Sequence, residues 1–122
     1  MGATKESMSA RAAAYQHQVT GAASGQVYRV GGVKFDGYDE VEGVLLDAKG
    51  PGFETFLGPD GAFHHWFNGE EEILGQAGRQ LRVAGGTPIR WHVAEERAAH
   101  MLENLFFDND ISIEVVFSPV VG

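Results

Sequence analysis

The chain reads as an α/β domain, α+β in its details, built on a mixed sheet. Three observations lead there. Ile73, Leu74, Ala77, Leu81 and Ala84 recur at helical spacing and stop at Gly85-Gly86. Short strand-like runs bounded by glycine lie on both sides of that helix. The length of 122 residues suits one compact domain, residues 1–122, and is too small for two.

The elements follow in order. Lys5 to Val19 is Ala-rich with few breakers and predicts a helix. Thr20 to Gly25 predicts a loop. Gln26 to Val30 and Val33 to Asp36 predict two strands, and the Gly31-Gly32 pair between them is a tight-hairpin signal. Gly37 to Glu42 reads as a connector. Gly43 to Lys49 reads as a third strand, ended sharply by Gly50-Pro51-Gly52. Between Phe53 and Gly69 lie a short apolar piece, a Pro59-Asp60-Gly61 turn and His64-His65-Trp66-Phe67. Glu70 to Ala84 is the second helix, with three acids at the positive end of its dipole. Pro88 to Val93 predicts a fourth strand, Ala94 to Phe107 a third helix, and Ile111 to Phe117 a last strand. The resulting order is helix, three antiparallel strands, helix, strand, helix, strand.

Composition removes several function classes. The absence of cysteine excludes disulfides, a thiol nucleophile and thiolate zinc ligands. No run is long and apolar enough to span a membrane. Met1 to Ala14 is polar and lacks an apolar centre, unlike a secretory signal, so the expectation is a cytosolic protein or leaderless export. The net charge of −8 argues against a nucleic-acid binder, because such proteins are usually basic. The nine basic residues form no run, whereas acids cluster at Asp39-Glu40, Glu70-Glu71-Glu72 and Asp108 to Asp110. A bound metal ion reverses the local field whatever the global charge, and the acidic balance suggests a basic protein partner.

The pattern with the most chemistry is Asp36 … Asp47-Ala48-Lys49. Residues two apart on a strand share a face, so Asp47 and Lys49 point together while Val44, Leu46 and Ala48 point the other way. Leu45, on the Asp47 side, indicates a covered face. If the second and third strands pair antiparallel, Asp36 falls near Gly43 or beyond. The connector must then curl back, through a bulge or twist, to bring Asp36 to Asp47. Two carboxylates suit a hard divalent cation, and a nearby lysine suits the charge that builds up when a phosphodiester is attacked. As a bare pattern this is weak, since an acid-x-Lys triplet is common; a solvated strand rim is the plain alternative.

The context carries more. Tyr15-Gln16 … Val19-Thr20-Gly21, Val33-Lys34-Phe35-Asp36-Gly37 and Leu45-Leu46-Asp47-Ala48-Lys49-Gly50-Pro51-Gly52 resemble the fifth class of restriction-endonuclease-fold toxin domains of bacterial polymorphic toxins. Arg79-Gln80-Leu81 and Trp91-His92-Val93-Ala94-Glu95 are similar as well, and the resemblance runs roughly from Ala13 to Pro119. It implies membership of the PD-(D/E)xK nucleases, with a core of helix, three antiparallel strands, helix and strand, plus here a C-terminal helix and strand. It also implies roles: Asp36 as first acid, Asp47 as second, Lys49 as catalytic lysine, and the Ala48 carbonyl beside the carboxylates as a third ligand to Mg²⁺ or Mn²⁺. Phe35 stands where many relatives carry proline. Gln16 and Gln18 stand where many carry a helical glutamate, and are expected to meet substrate.

Other candidates divide more evenly. Gln80, four residues from Gln76 on the second helix, is either a boundary residue or a contact to phosphate or the attacking water; the resemblance favours a catalytic role. His92 points away from Trp91, towards substrate or into a structural hydrogen bond. His64-His65 reads as a loop pair, because neighbours in an extended segment point apart.

The expected function is therefore a Mg²⁺-dependent DNase domain of a type VI or related secreted effector. By resemblance it acts in the cytoplasm of a competitor bacterium and is silenced at home by an immunity protein. The Met1 start and missing leader fit an excised tail of a larger carrier. The alternatives are an RNase on the same fold, a hydrolase of small phosphoesters, and a non-catalytic protein-binding module, which the charge favours.

Overall fold

The structure, a computed structural model, describes residues 10–21, 28–52 and 69–121. The His64-His65 pair, the Pro59-Asp60-Gly61 turn and the first residues of the expected N-terminal helix lie outside them. The elements are α1 (Ala10–Thr20), β1 (Tyr28–Val30), β2 (Val33–Phe35), β3 (Gly37–Asp39), β4 (Val44–Lys49), α2 (Gly69–Ala84), β5 (Ile89–Val93), α3 (Glu96–Asp108) and β6 (Glu114–Phe117).

The α+β mixed sheet is as expected. Its strands run in the order β3-β4-β5-β6, with β3 antiparallel to β4 and the other pairs parallel. Parallel neighbours need long connections, and the segments carrying α2 and α3 provide them. The antiparallel part is divided differently from the sequence reading. β1 and β2 pair only with each other, in a hairpin closed by Gly31 and Gly32 at φ 57° and 82°. A two-residue turn with both φ positive matches the strand twist, and only glycine adopts it at little cost. The strand partnering β4 is instead Gly37–Asp39, inside the expected connector.

The pleat puts different helices on the two sheet faces. Leu45, Ile89, Trp91 and Val93 face α2 and α3, and form the core with Ile73, Ala77, Ala98, Leu102 and Phe106. On the other face, β-carbons at Gly37 and Gly50 would point at α1. At Gly50 the nearest atoms are Ala12 Cα and Tyr15 Cβ, both at 3.6 Å. The Tyr15 hydroxyl donates to the Ser118 carbonyl at 2.7 Å and ties α1 to the segment after β6.

Gly37 is the tightest of these approaches. A β-carbon there would lie 2.8 Å from both Cβ and Cγ2 of Thr20. No rotamer change moves a Cβ, so Gly37→Ala forces α1 off the sheet. The expected loss is about 1–3 kcal/mol, in the range of other overpacking changes. Urea unfolding would measure it, and adding Thr20→Gly should recover most of it. A stable single variant would show that α1 packs elsewhere.

Candidate active site

Asp36 lies one residue before β3, and its backbone N–H reaches the Leu46 carbonyl at 2.9 Å. Its carboxylate Oδ2 accepts the Ala48 N–H at 2.7 Å. Gly37 pairs with Leu46, so Asp36 sits across from Asp47 with no long return of the chain. The expected position near Gly43 is thus corrected: β4 pairs with β3, not β2. The two carboxylates are close enough to repel. Burial, and then that repulsion, push the Asp36 carboxyl up to about 7, against the pull of the Ala48 N–H, Lys49 and Lys34.

Asp47 and Lys49 share the α2 side of β4. Lys49 Nζ lies 3.0 Å from Asp47 Oδ2. Gln76 of α2 links the pair: its Oε1 accepts from Lys49 Nζ at 2.9 Å, and its Nε2 donates to Asp47 Oδ1 at 3.3 Å. Lys49 also sits 4.5 Å from the centroid of the Trp91 ring, a cation–π distance. That ring is fixed edge-on against Phe106, and its Nε1 donates to Gln80 Oε1 at 2.9 Å. The ammonium is therefore held by a carboxylate, an amide and an aromatic face.

This changes the assignment of Gln80. It is completely buried and holds Trp91, so it reaches neither phosphate nor attacking water from this position. Gln76 is the α2 amide that touches the Asp47–Lys49 pair. The helical pattern carries a signal for this. The residues of α2 buried along one stripe are Ile73, Ala77, Gln80 and Ala84, so Gln80 occupies a core position and Gln76 flanks it.

The three other residues expected to meet substrate lie on or beside the α1 face. Gln16 is buried on α1, one turn from Thr20, and its carbonyl accepts the Thr20 hydroxyl at 2.9 Å. The Gln18 side chain is tied to the C-terminal segment through the Pro119 carbonyl and the Val121 N–H, both at 3.0 Å. His92 points away from Trp91 and Lys49, with Nδ1 2.8 Å from the Ser118 hydroxyl. Burial, and then Arg90, lower its affinity for a proton. The structure gathers Asp36, Asp47, Ala48 and Lys49 together; His92 is the cross-strand partner of Ala48, but its side chain lies on the face opposite Asp47 and Lys49.

A divalent cation fits the acidic pair. Asp47 is buried, and its Oδ2 accepts no hydrogen bond from the described residues; the approach of Lys49 to it is an ion pair only. A buried and a half-buried carboxylate in mutual repulsion favour a cation between them. No group of three or more His, Cys, Asp or Glu side chains placed to hold a metal ion occurs among the described residues. A hard ion here would therefore complete its shell with backbone oxygen, water and substrate, as Mg²⁺ commonly does.

A cleft of about 600 Å³ opens above Asp47 and Gln76, between the β1–β2 hairpin and α2. Its walls include Arg29, Lys34 and Arg79. The sequence shows these cations only as scattered residues. The hairpin and the helix bring them to one place.

A mixed sheet flanked by helices on both faces, with an acid and a lysine on a central strand and a second acid beside its antiparallel neighbour, is the architecture of restriction-endonuclease-type domains. The chain belongs to the family described as restriction endonuclease fold toxin 5, whose model matches residues 12–96. That span runs from α1 to the first residue of α3 and includes Asp36, Asp47, Lys49 and Gln76. The family marks the chain as a toxin domain of nuclease type. No match was found among curated proteins.

Proposed function

We propose that residues 1–122 form one metal-dependent DNase toxin domain, with Asp36, Asp47 and Lys49 as its catalytic residues. The observation that carries this is the meeting of Asp36, Asp47 and a Gln76-braced Lys49 beside an open cleft to which Arg29, Lys34 and Arg79 bring positive charge, with Glu71 and Glu72 at one end. The carboxylates of Asp36 and Asp47, with the Ala48 carbonyl, would hold Mg²⁺ or Mn²⁺. Such an ion supplies a Lewis acid and a more acidic bound water. Lys49 places a positive charge where the phosphorane develops negative charge, and Gln76 and Trp91 keep it from swinging away. Gln76 also holds one oxygen of Asp47, which fixes the direction of the other.

Toxin membership and the acidic surface support the rest of the reading. The domain reaches a target bacterium as part of a larger secreted effector, acts in its cytoplasm, and is neutralised by an immunity protein with a basic face. No described helix is long and apolar enough to cross a membrane. Purified protein with Mg²⁺, incubated with plasmid DNA and with RNA side by side, is expected to cut DNA and to stop on adding EDTA. Cutting of RNA alone would make it an RNase on the same fold. Failure to cut either, at any divalent metal, would leave a hydrolase of small phosphoesters or the non-catalytic binding module that the −8 charge favours.

A further inference from the structure

We infer that the β1–β2 hairpin and Arg79 form an arm that grips phosphates flanking the cut site, so that the substrate is a nucleic-acid polymer and not a small phosphoester. This rests on the nuclease reading above. Three cations, Arg29, Lys34 and Arg79, line the cleft that opens on Asp47. Arg29 and Lys34 are direct cross-strand partners, so their side chains leave the hairpin on the same side.

Arg79 approaches from the opposite wall, helped by a missing side chain. A β-carbon on Gly75 would lie 3.3 Å from Arg79 Nη1. The guanidinium thus lies back along α2 over the space that Gly75 leaves open, and a larger side chain there would push it aside. Glu71 and Glu72 line the same cleft on the first turns of α2. They repel a phosphate chain from that end and confine its path to the strip between the hairpin and Arg79. A single phosphoester at Asp47 would need none of this, whereas a polymer presents phosphates on both sides of the scissile one. Guanidinium groups suit phosphate because their planar donors bond it in pairs.

The test uses the full chain carrying Asp47→Asn and Lys49→Met, which should not cut, and a fluorescein-labelled DNA oligonucleotide. Anisotropy is read across a salt series. Adding Arg29→Gln and Arg79→Gln is expected to raise Kd at least about tenfold and to lower the slope of log K against log salt by about 2, one per lost phosphate contact. Gly75→Leu, which removes no charge but fills that space, is expected to raise Kd several-fold while the helical circular dichroism stays intact. The same changes with a labelled RNA strand support the arm equally, since it reads phosphate. Kd and slope within error of the parent in both variants would overturn the arm while leaving the nuclease reading in place. Cutting of DNA by the parent double variant would instead sink the assignment of Asp47 and Lys49 as the catalytic residues.

Discussion

Lys49→Ala is expected to lower DNA cleavage by roughly 10³-fold, the scale of losing one preorganised group that faces transition-state charge. It should also destabilise the fold, and the two effects need separating. Asp47 is 4% exposed, and its carboxylate has Lys49 as its cation. Removing that cation leaves a buried charge with only the Gln76 amide as donor. Loss of one member of a buried pair typically costs about 3 kcal/mol or more. Replacing both members by neutral groups of similar shape removes the unpaired charge, so Asp47→Asn with Lys49→Met should recover most of the lost stability. Cleavage must stay absent in that double variant. Measured denaturation curves and cleavage rates then give two readouts that move apart. If activity returns along with stability, Lys49 is a structural cation and the chemistry lies elsewhere.

How far the sequence exposes this site depends on which interactions build each part. The parts set by local periodicity are legible. α2 is read from its apolar spacing and its glycine stop, and the alternation on β4 puts Asp47 and Lys49 on one side. The approach of Asp36 is harder to read because β3 is three residues long and starts at a glycine, with no pattern of its own. It becomes a strand by pairing with the edge of β4, an interaction that only the folded chain supplies. The choice between Gln76 and Gln80 needed the rotation of α2 about its axis, which the full set of buried positions determines. The cation-lined cleft was invisible for another reason. Arg29 and Lys34 are joined by a hairpin turn, but Arg79 comes from a helix far along the chain. A net charge sums over the molecule and says nothing of such convergence. Of the three residues expected to bind substrate, Gln18 and His92 show why such roles are hard to read: a polar residue on a packed helix or strand also serves the fold. Here they fasten to Pro119, Val121 and Ser118.

Asp36→Asn should abolish cleavage yet stabilise the metal-free protein at pH 8. In the folded chain this carboxyl keeps its proton up to about pH 7, whereas its ordinary value is 3.8. Between those values the folded state holds more protons than the unfolded one, so stability falls as pH rises from about 4 to 7 and stays low above. Asparagine stays neutral, and its side-chain oxygen can still accept the Ala48 N–H. It removes both the burial cost of the charge and the repulsion from Asp47. Because the carboxylate is partly solvated, the gain at pH 8 is set at roughly 2 kcal/mol, below the full equivalent of the shift. In a chain of this size that should raise Tm by about 5–10 °C. Below about pH 3 the wild-type carboxyl is largely protonated in both states, and the two proteins should melt together. Mg²⁺ binds the folded wild type better than the unfolded chain, so it should raise the wild-type Tm at pH 8 and close the gap. The variant, with one carboxylate left, should respond much less. Equal Mg²⁺ shifts in the two proteins would place the ion away from Asp36. A variant no more stable than wild type at pH 8 would mean that Asp36 is charged at no cost, and that the two acids do not share a site.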